Sequence, residues 1–285
     1  MSNNEKNKVE ASTLYLVATP IGNLADISER AIKVLSEVDF VAAEDTRNSM
    51  KLLSCLGIHK ELVSYYEHNK KQSGERILAR LLGGESCALI TDAGMPAISD
   101  PGEDIVRLCA DADVKVKVVP GCCAAVSALS LSGLPTARFT FEGFLPVHNK
   151  ERGARLEELK GESRTMIFYE APHKLRNTLS DLAACFGGDR KIALCRELTK
   201  LNEETMRLTI GEAIAVYESK EPRGEYVLVV EGTDKPQNVN NDLLLLTPEE
   251  HVKHYESTGL SRMDAIKKAA KDRGVSKSEL YKQLI

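Results

Sequence analysis

The first half of the chain alternates short apolar runs with longer segments of helical periodicity. Apolar runs bounded by Gly, Pro or polar residues predict strands, whereas apolar residues spaced three and four apart predict helices. The alternation of the two predicts a parallel sheet with right-handed crossovers. The five predicted strands are Thr13–Ala18, Phe40–Ala43, Leu62–Ser64, Cys87–Thr91 and Lys115–Val119.

The first predicted helix shows the pattern that the others follow. Asp26 is a suitable N-cap and Glu29 lies three residues further on, which is the spacing of a capping box. One apolar stripe follows it, made of Ile27, Ala31, Val34, Leu35 and Val38. Further helices are predicted from the segment after Arg47 up to Gly57, over Ser73–Leu82 and Glu103–Ala110, and over the small residues of Cys122–Leu131.

Polar loops follow the predicted strands. They read TPIGN, EDTR, TDAGMPAISDPG and PG, and the carboxyl ends of parallel strands meet at one edge of a sheet. The loop within Leu89–Gly102 is longer than the ~2–6 residues of an ordinary strand-to-helix connection. The sequence therefore predicts a ligand crevice at this edge, with an ordinary connection as the alternative.

The pattern begins again after Gly133. Strands are predicted at Phe139–Phe144, Thr165–Tyr169, Lys191–Arg196, Met206–Ile210 and Tyr226–Val230, with helices at Lys150–Leu159, His173–Phe186 and Gly211–Ser219. This places an N-terminal α/β domain at 12–133, a C-terminal α/β domain at 134–233, a polar linker at 234–246 and a helical basic tail at 247–285.

The tail carries the apolar spacing of a compact helix-turn-helix. Ala265, Ile266 and Ala269 precede the turn at Gly274, and Leu280 and Leu284 follow it. Two short helices packed on each other give this pattern, as does a sequence-specific DNA reader, and the first interpretation is favoured.

Composition agrees with two α/β domains. The chain has 285 residues, of which 42% are hydrophobic and 28% charged, and its net charge is −4. Gly259–Ile285 has seven basic residues against three acidic ones, a local charge of +4, so the remainder carries −8. A basic tail indicates a polyanionic partner or a solvated helix face. The polar first residues and the absence of a long apolar run predict a cytoplasmic protein without a membrane partner.

The seven cysteines form no CxxC pair. Five of them occupy apolar positions and are predicted to act as small hydrophobic residues of a reduced compartment: Cys55, Cys87, Cys109, Cys185 and Cys195. No cluster of His and Cys accompanies Cys122 and Cys123, so no metal site is expected.

Several common chemistries lack their motifs. The chain has no GxGxxG after a strand, no GxxxxGK[ST] and no GxSxG. A loop with Asp92, Gly94 and Met95 suits a neutral or cationic ligand whose hydroxyls or amine a carboxylate holds.

The motifs together resemble one family. LYLVATPIGNLADISERAI, AAEDTRNS, LITDAGMPAISDPG, VPGCCAAVSAL, GFLP, FYEAPHKL, CRELTK and GEYVLVVEG are similar, in this order, to the ribosomal RNA small-subunit methyltransferase I family. That family is a branch of the tetrapyrrole-methylase fold. The resemblance runs from Leu14 to Gly232, and the tail resembles the family's C-terminal segment.

The resemblance implies two α/β domains with a cleft between them, in which S-adenosylmethionine binds. It also implies methyl transfer to the ribose 2′-hydroxyl of a cytidine in the decoding region of 16S ribosomal RNA, and a homodimer. The donor-binding residues that it implies are Asp92, Gly94, Met95, Gly121, Cys122, Phe168 and Tyr169. At Cys122 this chain departs from the family pattern, in which a small hydroxyl residue follows Pro-Gly.

An in-line displacement at the methyl carbon benefits from alignment and from a base for the hydroxyl proton. The candidates are Glu44, Asp45, Glu170 and Lys200. Arg47 fits a phosphate clamp or a salt bridge at a helix start. Asn23 fits a ribose contact or a helix cap.

Two other functions remain as alternatives at this point. An enzyme of the same fold that methylates a small tetrapyrrole needs no basic tail. A DNA-binding regulator would use Gly274–Leu284, and this function gives the α/β domains no role.

Overall fold

A computed structural model describes residues 8–233, 243 and 245–284. The chain divides into two compact units, Met1–Val147 with Thr165–Glu231, and His148–Arg164 with Gly232–Ile285. The first unit holds two five-stranded sheets. The boundary at Gly133 stays a prediction, and Gly133 itself ends a helix with φ +73°.

The first sheet is parallel throughout, as the alternation predicted. Its strands are β1 Thr13–Val17, β2 Phe40–Ala43, β3 Glu61–Ser64, β4 Cys87–Ile90 and β5 Lys115–Val119, in the order β3-β2-β4-β1-β5. The helices after these strands are α1 Glu29–Glu37, α2 Thr46–Cys55, α3 Lys70–Leu82, α4 Glu103–Asp111 and α5 Ala124–Ser132.

Apolar side chains cover both faces of this sheet. Val17, Val41 and Ile90 pack with residues of α1 and α2 on one face. Leu14 and Leu89 pack with residues of α3 and α4 on the other. Burial on two faces explains why the three inner strands β1, β2 and β4 read as continuous apolar runs instead of alternating ones.

The second sheet is mixed. Its strands are β6 Phe139–Phe144, β7 Thr165–Glu170, β8 Lys191–Arg196, β9 Glu204–Thr209 and β10 Tyr226–Val230, in the order β6-β7-β10-β8-β9. Only β6 and β7 pair in parallel, and the other neighbours are antiparallel. The connection from β8 to β9 is too short for a helical crossover, which accounts for their antiparallel pairing. The helices after β7 and β9 are α7 Leu175–Phe186 and α8 Ile210–Ser219.

Three sequence predictions need correction. The N-cap of α1 is Ser28, whose Oγ accepts from the Ala31 amide at 3.1 Å; Asp26 instead ends a short 3-10 helix, Leu24–Asp26. Helix α5 begins at Ala124, because Cys123 is extended. Cys55, predicted as an apolar position, is exposed.

The second unit contains the helix α6 Asn149–Leu159 and three tail helices, Pro248–Ser257, Arg262–Asp272 and Lys277–Gln283. The tail helices share a core of Val252, Ala265, Ile266, Ala269, Ala270 and Leu280. The predicted packing of two short helices is confirmed, and the helix Pro248–Ser257 joins them. The predicted linker lies mostly outside the described residues, at 234–242 and 244. No described helix is long and apolar enough to cross a membrane.

Candidate active site

The residues that follow β1, β2, β4 and β5 meet at one cavity of about 570 Å³ in the first unit. This agrees with the convergence predicted from the polar loops. Residues at or just beyond the ends of β6, β7 and β8, and at the start of β10, line it as well, so both sheets contribute. The lining from the first sheet's loops is Ile21, Glu44, Asp92, Ala93, Gly94, Met95, Ile98, Ser99, Asp100, Cys123 and Ala124.

Two loops are tied together at the cavity by Thr19 and Gly94. The Thr19 amide donates to the Gly94 carbonyl at 2.9 Å, and the Gly94 amide donates to the Thr19 carbonyl at 3.1 Å. The Thr19 hydroxyl also donates to the Thr91 carbonyl at 3.1 Å. Gly94 has φ +90°, and a Cβ there would lie 3.3 Å from Ile21 Cγ2. The position therefore favours glycine for conformation and for space.

The loop after Gly94 stores backbone strain. Ala97 and Ser99 have φ +67° and +64°, which is costly for residues with a Cβ. Ser99 lines the cavity between Ile98 and Asp100. Such conformations persist only where the surroundings fix them, so this wall of the cavity is held rigidly in place.

Carboxyl groups form one side of the cavity. The Thr91 hydroxyl donates to Glu44 Oε2 at 2.9 Å, and Asn48 Nδ2 donates to Asp92 Oδ2 at 2.9 Å. Asp100 is half-buried beside them. Burial and then the charge of Glu44 raise the pKa of Asp100 to about 6, against a smaller opposing effect of the Thr91 hydroxyl.

Lys200 lies on another side, held between two carboxylates. Its Nζ is 2.9 Å from Glu197 Oε1 and 2.8 Å from Glu225 Oε2. Burial lowers the pKa of Lys200, but the hydrogen bonds to Glu225 and Glu197 outweigh it and keep the pKa above its ordinary value. The ammonium is therefore protonated and fixed at neutral pH.

Tyr169 and Glu170 end β7 at the cavity. The Tyr169 ring makes edge-on contacts with Phe141 and Phe144, at centroid distances of 5.0 and 5.6 Å, and burial raises its pKa to about 12. Glu170 is 4% exposed; its Oε1 accepts from the Ala171 amide at 2.8 Å and its Oε2 accepts from the Thr178 hydroxyl. The Phe168 side chain is fully buried and does not line the cavity.

The structure brings together seven of the residues singled out from the sequence and leaves six outside the lining. Those in the lining are Glu44, Asp92, Gly94, Met95, Tyr169, Glu170 and Lys200. Those outside it are Asn23, Asp45, Arg47, Gly121, Cys122 and Phe168.

Hydrogen bonds and ion pairs within the protein show what three of the six residues outside the lining do. Asn23 Oδ1 accepts from the Ala25 amide at 3.1 Å and caps the 3-10 helix. Asp45 caps α2 and holds Arg47, whose Nη2 lies 2.7 Å from Asp45 Oδ2. The hydrogen bond from the Arg47 side chain is the largest of the effects that lower the pKa of Asp45 to about 2. Two roles were considered for Arg47, a phosphate clamp and a salt bridge at a helix start. In this structure Arg47 forms the salt bridge.

Gly121 and Cys122 also lie outside the lining, in the Pro-Gly loop after β5. A Cβ on Gly121 would lie 2.9 Å from the Cβ of Ala18, so the absence of a side chain lets the ends of β1 and β5 approach closely. Cys122 Sγ donates weakly to the Asp26 carbonyl at 3.6 Å.

The sequence gives no role to Asp100, Phe144 and Glu225 of the lining, whereas His173 and Glu197 match motifs of the family that the chain resembles, without a choice between RNA contacts and ion pairs. Each lies within or beside a motif already noted: SDPG, GFLP, APHK, CRELTK and GEY. Asp100 shares its motif with Asp92, and nothing local distinguishes the two aspartates. Among the described residues, no group of three or more His, Cys, Asp or Glu could hold a metal ion.

Comparisons with known proteins define the class first. The model of the tetrapyrrole (corrin/porphyrin) methylases matches residues 13–214, and the chain belongs to this family. Solved structures share the fold: a diphthine synthase with TM-score 0.62 and 15% identity, covering 77% of this chain and 90% of that one, and a cobalt precorrin-4 methyltransferase with TM-score 0.58 and 16% identity, covering 77% and 95%.

Relatives with higher sequence identity define a narrower family within this class. The Ribosomal RNA small subunit methyltransferase I of Bacillus subtilis is 48% identical over 276 residues, 96% of this chain and 94% of that protein. The protein of the same name from Halalkalibacterium halodurans is 47% identical over 95% of this chain and 94% of its own length. The chain thus belongs to the ribosomal RNA small subunit methyltransferase I family, and the predicted family and fold class are confirmed.

Proposed function

We propose that this protein transfers the methyl group of S-adenosylmethionine to the ribose 2′-hydroxyl of a cytidine in the decoding region of 16S ribosomal RNA. The observation that carries the proposal is the near-full-length similarity to proteins named Ribosomal RNA small subunit methyltransferase I. Methylation of a small tetrapyrrole and DNA-binding regulation are not favoured by these relatives.

The cavity suits the methyl donor in size and in chemistry. Its volume of about 570 Å³ lies within the ~300–1,000 Å³ of typical small-molecule sites. Because Gly94 has no side chain, Ile21 and the Cys122 carbonyl can pack against its backbone at the cavity. Asp92 supplies a carboxylate for an amine or for ribose hydroxyls. When bound, S-adenosylmethionine supplies an activated methyl group.

Donor binding is assigned in this proposal to the residues named from the resemblance. Asp92, Gly94, Met95 and Tyr169 contribute from the cavity lining. Gly121 and Cys122 contribute through the close approach of β1 and β5, and Phe168 contributes by anchoring β7 in the core.

The acceptor ribose requires orientation more than activation, because the methyl group is already on a good leaving group. The Lys200 ammonium, fixed by Glu197 and Glu225, offers a rigid positive charge at the cavity for an RNA phosphate or hydroxyl. Arg47 is 86% exposed and its guanidinium extends the positive surface near Asp92. Asn23, Glu44, Asp45 and Glu170 support this geometry through their caps and hydrogen bonds. We further propose a cytoplasmic homodimer that takes small-subunit ribosomal RNA or the small ribosomal subunit as its substrate.

The test is incubation with labelled S-adenosylmethionine and small ribosomal subunits from a strain that lacks its own copy of the gene, followed by nuclease mapping. Label in an alkali-resistant dinucleotide is the expected result, because a 2′-O-methyl group blocks alkaline cleavage. If the donor binds but no label enters RNA, methylation of a small tetrapyrrole becomes the better account.

A further inference from the structure

We propose that the carboxylate of Asp100 accepts the proton of the ribose 2′-hydroxyl during methyl transfer, an inference that rests on the proposed function. Asp100 follows the strained Ser99 at the end of the loop after β4, and it lines the cavity. The strained backbone before it fixes where Asp100 lies in the cavity wall, and a general base must lie within reach of the proton that it takes.

The other carboxylates of the region are engaged elsewhere. Asp45 is bound by Arg47 through its side chain and backbone and lies outside the lining. Both oxygens of Glu170 accept hydrogen bonds within the protein, and its side chain is almost fully buried. The Arg47 guanidinium favours the ionised form of Asp45 and lowers its pKa to about 2, and Glu170, at 4% exposure, offers little access to a ribose.

The remaining candidates are also less suited to the task. Lys200 is bonded to two carboxylates as an ammonium and has no lone pair for a proton. Glu44 accepts from the buried Thr91 hydroxyl, and Asp92 accepts from Asn48. Asp100 also receives a hydrogen bond from the Thr91 hydroxyl, but burial and the charges of Glu44 and Asp92 disfavour its ionised form and so favour its taking up a proton.

The groups that face Asp100 explain its basicity. Glu44 and Asp92 are acidic and the Thr91 hydroxyl is neutral, while Tyr169, across the cavity, feels the charge of Asp100 in turn. Burial and the two nearby carboxylates disfavour the ionised form, so the pKa of Asp100 rises to about 6. At neutral pH the group is mostly ionised yet binds a proton more readily than an ordinary aspartate, which is the balance that a general base needs.

The proposed step balances in atoms and charge. The ribose oxygen forms a bond to the methyl carbon as the bond from that carbon to the donor sulfur breaks, and the electron pair of the broken bond stays on sulfur. The 2′-hydroxyl proton passes to an Asp100 carboxylate oxygen. The positive sulfur and the negative carboxylate both become neutral.

The experiment compares Asp100→Asn with Asp111→Asn, an exposed aspartate at the end of α4, in the small-subunit assay across pH. Asp100→Asn is expected to lower kcat by ~10²–10⁴-fold and to remove the fall in rate below about pH 6, with S-adenosylmethionine affinity by calorimetry unchanged. Asp100→Glu is expected to recover part of the rate, and Asp111→Asn to match the wild type.

Three results would overturn the inference. If Asp100→Asn keeps a rate within a few-fold of the wild type, or if it loses donor affinity along with rate, Asp100 does not act as the base. If the wild type labels no RNA at all, the proposed function fails and takes this inference with it.

The last two tail helices carry exposed lysines. We infer that these lysines bind the phosphate backbone of base-paired ribosomal RNA. Lys267, Lys268 and Lys271 lie on the face of Arg262–Asp272 opposite its buried residues, and Lys277 and Lys282 are exposed on the next helix. We call these five residues the lysine surface.

The acidic residues of these two helices are occupied within the tail. Asp264 bonds to its N-cap Ser261, Asp272 accepts from the Tyr255 hydroxyl, and Glu279 completes a capping box with Ser276. Within the described part of the chain, the lysine surface takes no part in the ion pairs of the tail; Lys268 lies over the Tyr255 ring at 5.0 Å. The positive charges are thus directed to solvent on a chain whose net charge is −4.

The favoured occupant is RNA because phosphates complement clustered lysines and because the proposed substrate supplies them. Among the described residues of these two helices, only the half-exposed Tyr281 offers an aromatic ring for single-stranded bases, so contacts to a duplex backbone fit the surface best. The tail helices have a core of their own, which holds the lysines in a fixed arrangement.

The test is filter binding of the full-length protein to a base-paired fragment of 16S RNA at several salt concentrations, which requires no methyl transfer. The triple change of Lys267, Lys268 and Lys271 to Gln is expected to weaken binding at least about tenfold and to lower the salt dependence by about three counterions. The triple change to Arg, which keeps the charges, should bind as the wild type does. Unchanged affinity and salt slope in the Gln variant would overturn the inference, as would an equal loss in the Arg variant.

Discussion

Thr19 and Gly94 exchange two backbone hydrogen bonds and so join the loop after β1 to the loop after β4. The pairing aligns the Asp92–Met95 segment along the cavity and depends on the positive φ of Gly94.

Gly94→Ala is expected to lower the free energy of unfolding by about 1–3 kcal/mol, because alanine is strained at φ +90° and its Cβ meets Ile21. It should also weaken S-adenosylmethionine binding. Gly84→Ala is the matched control, since Gly84 has φ +100° but no neighbour within 4 Å. Urea denaturation and calorimetry measure the two effects, and equal donor affinity in both variants would contradict the assignment of Gly94 to the site.

Asp92→Ala is expected to abolish measurable binding of S-adenosylmethionine, because it removes the carboxylate that we assign to the donor. Asn48→Ala should have a smaller effect, since it removes the hydrogen bond that orients Asp92 but keeps its charge. Titration calorimetry measures both affinities. An unchanged dissociation constant for Asp92→Ala would show that the donor is held by other groups.

Through Asp100, the free energy of unfolding should change with pH in the direction opposite to the one that most carboxylates cause. The folded pKa of Asp100, about 6, is above its ordinary value of 3.8, so between these values the folded protein holds a proton that the unfolded chain has lost. The free energy of unfolding therefore falls as pH rises through this window. Relative to Asp100→Asn, the wild type should lose about 1 kcal/mol between about pH 4 and pH 7, after allowance for solvent screening of a half-exposed group.

Urea titrations of both proteins at each pH measure this difference. Buffers of equal ionic strength keep the other carboxyl pairs comparable. A difference that does not change across the window would show that Asp100 titrates normally.

The corrected start of α1 gives a further prediction. Ser28→Ala should lower the free energy of unfolding by about 1 kcal/mol, because it removes the side-chain acceptor of the Ala31 amide. Asp26→Ala, at the position suggested by the capping-box spacing, should change it by less than about 0.5 kcal/mol. Thermal denaturation of the two variants distinguishes them, and the opposite ranking would restore Asp26 as the cap.

The strands were the most predictable part of the fold. Lys115–Val119 and Phe40–Ala43 were predicted with the bounds that the structure has, because apolar runs between Gly, Pro and charged residues leave little choice of register. The antiparallel pairs of the second sheet were not predicted. Pairing direction depends on which strands become neighbours, and β10 is placed between β7 and β8 by tertiary packing.

The candidate site was predictable only as far as its loops. Asp92, Gly94 and Glu44 follow strands, so the sequence alone places them at one edge of the sheet. Asp100 is distinguished by the raised pKa of its carboxyl, which results from its burial and from the charge of Glu44. Glu44 is far away along the chain. Local sequence also left open whether Asn23 caps a helix and Arg47 forms a salt bridge, or whether these residues contact a ligand. The hydrogen bonds of the folded chain show the cap and the salt bridge.

The position of β10 has a consequence for synthesis on the ribosome. All five strands of the first sheet precede Ala124, so that sheet can form while the rest of the chain is still being made. The second sheet is different, because its middle strand is the last to emerge. A nascent chain that ends before Tyr226 has β6 with β7 and β8 with β9 as two ribbons with no strand to join them. The cavity wall at Glu225–Val227 is therefore completed last, when nearly the whole first unit has been translated.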